Sequence, residues 1–436
     1  MVALTCEEWR TYSPDSTAAL RGLHLDDPAT RSIAEELTAS DRLTVLDLRH
    51  GLQITTGSYV GRLRLGELRL TITPKIQGLP LLDLLRYAYG LRNLRLLDVL
   101  AQGVESASFQ DLLIHQLCAE VDELLARGLH RRYVRQDQVL ASPRGRIRFA
   151  AIARQPVLTK AALPCTDHPR VVDNTMNRTV LASLRMGMGQ TNQLALRVQL
   201  EALATRMAGA VSAARLTPEL VRQASREVNR LSAAYRPVIA IASLLLEGHG
   251  TALQRTAAQV PVPGFLFDMN RFFQMLILRF LRDGLADHVV CDEQRIFGML
   301  RYDPNRNPRG RRAPTPRPDF VVMQGQRSVA VLDAKYRDLW DEPLPRDMLY
   351  QLVIYAGSSQ AGGLAVILYP TLHPQAQDAC IQVSDPVLGR QRGQVVLRPV
   401  NMKVLAELVS ARPGVQAAKA VSDYARKLAF GAQGTA

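Results

Sequence analysis

Apolar and polar residues alternate along Leu43–Leu48 and Leu63–Ile72, as half-buried strands do. Gly51, Gly57, Gly61 and Gly66 punctuate these runs, and a short helical pattern surrounds Ile33–Leu37. Together they predict a small β-rich domain with one helix over residues 1–75. The period then lengthens. Leu81, Leu84, Leu85 and Ala88 share a helix face within Leu79–Tyr89. Leu112, Leu113, Gln116, Leu117, Val121, Leu124 and Leu125 keep near-helical spacing from Phe109 to Arg127, before a stop at Gly128. Residues 161–260 read as mostly helical. Asp173 or Asn174 opens one helix as its cap, and Thr217 caps another before Pro218. Pro218–Leu246 reads as two helices broken near Pro237, with Gly248 and Gly250 ending the second.

Residues 251–263 form a connection containing Pro and Ala, and mark a domain boundary. Beyond it the pattern predicts an amphipathic helix over Phe265–Leu285 and a strand over Val289–Leu300. Pro318–Lys335 consists of two apolar runs around the polar turn Gln324–Arg327, the signature of a β-hairpin. A helix over Arg346–Tyr355, a buried strand over Gly363–Tyr369, a strand over Gln394–Arg398 ended by Pro399, and helices over 402–410 and 415–429 follow. The expected fold class is α+β multidomain: a β-rich domain (1–75), a mainly helical middle region (76–260) and a mixed α/β domain (261–436).

Composition supports real cores: 47% of the 436 residues are hydrophobic. The 54 Lys and Arg against 40 Asp and Glu leave a net charge of +14, which favours a polyanionic partner through counterion release. Five scattered cysteines without a CxxC pair argue for a reducing compartment and against a disulfide framework or zinc ribbon. With no basic–apolar leader and no apolar run long enough to span a bilayer, the expected location is the cytoplasm, without a membrane partner.

Candidate chemistry concentrates on the hairpin. Asp319 heads its first strand. Asp333 and Lys335, two apart near the end of the second, leave the same face. Carboxylates converging there are costly to bury unless paired, and a divalent cation between them would pair them. The loop before Asp319 carries Arg301, Arg306, Arg309, Arg311, Arg312 and Arg317, suited to phosphate contact. A second basic segment, 127–148, includes Arg144 and Arg146; it reads either as a solvated loop with strand edges or as a nucleic-acid or partner surface. Cys165, Asp167 and His168 lie close together but lack a second cluster, and read as a structural loop rather than a metal site.

Pro318-Asp319 and Asp333-Ala334-Lys335 resemble the PD-(D/E)xK nuclease motif, and the helix–three strands–helix–strand order resembles that core. The resemblance implies Mg²⁺ held by Asp319, Asp333 and the backbone of Ala334, with Lys335 positioning water. Gln351 and Tyr355, four apart on one helix face, resemble the helix that follows the metal site in RecB-type nucleases. A wider resemblance, to the McrC family of McrBC-type restriction systems, rests on Thr73-Pro-Lys-Ile, Phe109-Gln-Asp-Leu-Leu, Arg127-Gly-Leu-His-Arg-Arg-Tyr, Asp173-Asn-Thr-Met-Asn-Arg, Tyr235-Arg-Pro-Val-Ile, Asp268-Met-Asn-Arg-Phe-Phe and the nuclease core. It covers roughly residues 70–360. It implies a Mg²⁺-dependent DNA endonuclease that docks through its N-terminal parts on a AAA+ GTPase ring and cuts double-stranded, modified DNA. The chain has no P-loop of its own. One departure stands out: the family's usual glutamate, which helps line the metal site, is Gln274 here, which would still offer the metal an oxygen but without the charge. That leaves two alternatives, an activator whose nuclease has weakened, and a stand-alone nuclease.

Overall fold

The computed structural model describes residues 2–76, 78–91, 109–153, 161–250, 264–358, 363–412 and 414–431. The chain divides into two compact units. One joins residues 1–93, 101–109 and 252–436; the other comprises 94–100 and 110–251. The β-rich N-terminus therefore shares a unit with the C-terminal region instead of standing apart. The connection expected at 251–263 lies outside the described residues. Among the described residues no helix is long and apolar enough to cross a membrane.

In chain order the first unit begins with β1 (Val2–Glu7), β2 (Thr11–Tyr12), α1 (Pro28–Ala39), β3 (Leu43–Leu48), β4 (Gly51–Thr56), β5 (Tyr59–Leu65), β6 (Leu68–Thr73) and α2 (Gly78–Tyr89). Asp27 caps α1, accepting from Thr30 N at 3.0 Å with Pro28 at the first turn. β3, β4 and β2 form one small sheet.

The second unit contains α3 (Phe109–Arg127), the short strands β7 (Arg132–Tyr133), β8 (Gln136–Leu140) and β9 (Arg146–Ile147), α4 (Phe149–Ile152), β10 (Leu163–Asp167), β11 (Arg170–Val171), and helices α5 (Thr175–Gln190), α6 (Leu194–Ala208), α7 (Pro218–Glu227) and α8 (Arg236–Gly250). The basic segment is thus partly strand: β8 and β9 flank β10, and β7 pairs with β11. The start of the expected helical stretch is strand because Leu163–Asp167 finds a partner in Gln136–Leu140. Asn174 is the cap of α5, accepting from Asn177 N at 3.1 Å. Thr217 caps α7. The break between α7 and α8 falls ahead of Pro237, which sits in the first turn of α8, where its missing N–H costs nothing.

The chain then returns to the first unit through β12 (Gly264–Asp268), α9 (Met269–Gly284), β13 (Val289–Asp292), β14 (Phe320–Gln324), β15 (Arg327–Ala334), α10 (Arg346–Ala356), β16 (Leu364–Thr371), β17 (Ala379–Ser384), β18 (Gln391–Asn401), α11 (Met402–Ser410) and α12 (Val415–Phe430). Phe265–Asp268 departs from the helix expected there. It pairs antiparallel with β5, completing a sheet ordered β1-β6-β5-β12. The helix starts one residue later because Asp268 caps it, accepting from Asn270 N at 2.9 Å.

β13-β14-β15-β16-β18-β17 form a six-stranded sheet, antiparallel through β15 and parallel across β15, β16 and β18. The expected strand over Val289–Leu300 stops at Asp292, and Glu293 turns away at φ 51°. Pro399 does not end β18. It lies past the last pairing with β17, Leu397, so only β16 flanks it and no ladder bond to β17 is lost. Tyr355, Leu352, Ile367, Tyr369 and Val395 share a core with Val331 on the α10 side of the sheet. The apolar stripe of α9, with Phe272, Phe273, Leu276 and Phe280, is fully buried.

Gly61 marks the closest approach of β12 to β5. Its φ is +138°, and a Cβ there would stand 2.1 Å from the carbonyl oxygen of Phe265. Gly61→Ala should therefore lower stability by about 2 kcal/mol or more, read as a lower denaturant midpoint at unchanged slope.

Candidate active site

The hairpin forms as the sequence predicts, with Gly325 at φ +61° in its two-residue turn. Its register sets Phe320 opposite Leu332, so Asp319 and Asp333 meet at the same end of the pair. Parallel pairing to β16 buries that end: Asp333 faces Ile367 in the ladder, and Lys335 N donates to Leu368 O at 3.0 Å. Asp333 is 1% exposed.

Asp319 is held at one oxygen by two donors. Its Oδ2 accepts from Ala334 N at 2.8 Å and from Gln274 Nε2 at 3.1 Å. Lys335 Nζ stands 2.9 Å from Asp333 Oδ2. Asp333 Oδ1 is buried with no hydrogen-bond partner. Burial raises the pKa of both carboxyls, and the Asp319 charge pushes Asp333 further, to about 6 against the attraction of Lys335. Burial works against the Lys335 charge too, but the two aspartates outweigh it and hold its pKa above the usual lysine value. The site thus has more carboxylate than its lysine can neutralise, and an orphaned oxygen where a cation would bind. Two buried carboxylate oxygens are hard donors that fit a small divalent ion.

Gln351 Nε2 donates to Tyr355 Oη at 2.6 Å, and Tyr355 Oη donates to the Arg317 carbonyl at 3.0 Å. Burial, and then the two nearby aspartates, raise the tyrosine pKa against the Gln351 hydrogen bond, so the hydroxyl stays protonated. The pair on α10 thereby anchors the end of the arginine loop next to Asp319. Arg317 itself pairs with Glu293. Arg301, Arg306, Arg309, Arg311 and Arg312 are exposed, and the loop holds only a short turn at Pro304–Arg306. Arg144 and Arg146, also exposed, belong to the other compact unit.

Ala334 and Gln274 both meet Asp319. Ala334 donates its N–H to the carboxylate. Gln274 points its amide donor at the same oxygen and so orients that carboxylate. Cys165 is buried on β10, and it does not gather with Asp167 and His168 into a metal cluster among the described residues.

A supporting shell escaped the sequence reading. Asn270 Oδ1 accepts from Tyr336 N at 3.1 Å while its Nδ2 donates to Ser58 Oγ at 2.9 Å. Tyr336 Oη donates to Glu8 Oε1 at 2.9 Å. These bonds pin the residue after Lys335 to α9 and to the N-terminal strands. Asp268-Met269-Asn270 was the only local signal; Ser58 and Glu8 lie far off in sequence.

A cation-free site has a definite pH signature. Asp333 keeps a proton up to about pH 6 when folded but loses it near 3.8 when unfolded. Its contribution to stability is therefore full below about pH 4 and is lost as the pH rises through 6. In chelator at pH 8, Asp333→Asn should be more stable than the parent by on the order of 1–3 kcal/mol, with the gap closing near pH 4. Denaturant titrations at the two pH values check this; a less stable variant at pH 8 contradicts the assignment.

A sequence model of the family described as McrBC 5-methylcytosine restriction system component matches residues 54–370. No match is found among the curated proteins. A similar solved structure is described as a refined half-complex from the tetradecameric assembly of Thermococcus gammatolerans McrB AAA+ hexamers with bound McrC. It shares 19% identity over 97% of this chain and 99% of that chain, at a TM-score of 0.60. A second, the cryo-EM structure of the Thermococcus gammatolerans McrBC complex, shares 21% identity over 65% of this chain and 88% of that chain, at a TM-score of 0.46. The family match spans well over half of the sequence and includes the hairpin and its supporting helices, so the chain belongs to the McrBC 5-methylcytosine restriction system component family.

Proposed function

We propose that this chain is the Mg²⁺-dependent endonuclease subunit of a modification-dependent restriction system, cutting DNA phosphodiester bonds when engaged by a AAA+ GTPase ring. The Asp319–Asp333 pair beside Lys335, with a buried, unpaired Asp333 oxygen, carries the reading. Asp319 and Asp333 would hold the ion. When bound, Mg²⁺ supplies Lewis-acid neutralisation of phosphate charge and acidifies water at the site. Ala334 N–H and Gln274 fix one oxygen of the Asp319 carboxylate. Lys335, permanently charged, positions a water or a phosphoryl oxygen. Tyr355 and Gln351 hold the arginine loop at Arg317. Arg306, Arg309, Arg311 and Arg312 then meet the DNA backbone, and the chain's net charge of +14 supports them. Arg144 and Arg146 offer a second backbone-contacting patch.

The partner follows from the family and from the related assembly, described as McrB AAA+ hexamers with bound McrC. By the same reasoning the substrate is double-stranded DNA carrying 5-methylcytosine. A second reading, an activator with weakened catalysis, is favoured by one observation: Gln274 presents a neutral donor where a carboxylate would add metal affinity.

Plasmid cleavage in Mg²⁺ with the cognate GTPase, with and without GTP, on methylated and unmethylated DNA, tests both readings. GTP-dependent cutting that falls at least about 100-fold in Asp333→Ala supports the nuclease, a loss of about 3 kcal/mol in barrier lowering. Intact GTPase stimulation without any cutting supports the activator. Gln274→Glu should lower the Mg²⁺ concentration for half-maximal cutting several-fold; an unchanged requirement removes the case for weakened metal binding.

A further inference from the structure

A second cluster of ligating side chains lies outside the nuclease site, in the same compact unit. Asp338, three residues past Lys335, Asp341 and His373, just past β16, bring one ligand atom each within 4.8 Å of one another. They line a cavity of about 320 Å³ together with Glu8, Trp9, Lys75 and Tyr336.

Asp338 is 6% exposed, and the Trp340 N–H at 3.1 Å fixes its Oδ1, which leaves Oδ2 for another partner. His373 Nε2 stands 3.2 Å from Asp341 Oδ2. Two of the neighbouring cations are already engaged, Arg337 with Glu342 at 2.7 Å and Arg10 with Glu7 at 3.9 Å, while the Lys75 charge acts on Glu8. The cavity wall supplies an independent observation. Glu8 is 1% exposed, and its Oε1 accepts from Tyr336 Oη and Lys75 N, yet its Oε2 is buried with no partner. An unpartnered, buried oxygen in the wall of a polar cavity is a place for a hydrogen-bonding water.

We propose that Asp338, Asp341 and His373 bind a divalent transition-metal ion, Zn²⁺ or Mn²⁺, with Glu8 Oε2 taking a water of its hydration shell. The imidazole separates this site from the all-oxygen pair at Asp319 and Asp333, which suits Mg²⁺. Donors around one such ion at about 2.1 Å lie roughly 3–4 Å apart, so small rotations of the exposed Asp341 and His373 side chains close the set. The ion ties the segment after β15, which begins with Lys335, to the segment after β16. It acts as a clamp on the scaffold and takes no part in bond cleavage.

The test uses full-length protein carrying Asp333→Asn, so that ion binding is read without the nuclease site. Equilibrium dialysis against Zn²⁺ or Mn²⁺, with elemental analysis, should return one ion per chain that 1 mM Mg²⁺ does not displace. Adding Asp341→Asn and His373→Ala, both at exposed positions, should weaken binding at least tenfold while the circular dichroism spectrum stays the same. No bound ion in the Asp333→Asn protein, or the same occupancy in the triple variant, overturns the proposal. Neither result depends on whether the chain cuts DNA.

Discussion

A buried carboxylate, Asp333, and a half-buried one, Asp319, at one end of a sheet with a single lysine beside them set the terms for the rest of the first unit. Burial and mutual repulsion push Asp333 up to about 6. The fold offsets this with donors: Ala334 N–H and the Gln274 amide both meet Asp319 Oδ2, and the lysine meets Asp333 Oδ2. Asp333 Oδ1 is left buried without a hydrogen-bond partner. A surface hairpin would impose no such requirement, since water would solvate both acids. Pairing of β15 with β16 buries Asp333 and turns ordinary acids into a site with a chemical demand.

The surrounding layers keep that demand in register. On one side, α10 packs its Leu352 and Tyr355 into the sheet core, and the same Tyr355 reaches the Arg317 carbonyl. Elsewhere α9 contributes Gln274 directly and Asn270 through the Tyr336 backbone. The N-terminal strands complete the frame through Ser58 and Glu8. Residues separated by more than 200 positions in the chain thus share one hydrogen-bonded support. The N-terminal segments and the residue beside Lys335 therefore belong to one hydrogen-bonded frame.

Family membership and geometry make separate contributions. The family match covers the hairpin and the helices that hold it. At 19% identity the related structure speaks to the fold alone, and the chemistry rests on side chains in this chain. Gln274 illustrates the difference. Its amide donates to Asp319, a contact that only the structure reveals.

Much of this was legible in the chain itself. Two apolar runs around a polar turn, with Gly325 in it, determined the hairpin, and Asp333 and Lys335 share a face because side chains in a strand repeat every two residues. Helical spacing and caps determined α1, α5, α7 and most of α9, where local hydrogen bonds decide the start. Non-local pairing was beyond its reach. Gly264–Asp268 is a strand only because β5 is there to receive it, and the first 93 residues join the C-terminal region through bonds that leave no local trace. The burial that raises Asp333, the donor role of Gln274, and the meeting of Asp338, Asp341 and His373 depend likewise on side chains brought together from distant segments. Local periodicity encodes which face a residue takes; only tertiary packing decides what stands opposite that face, and so which charges must be shared.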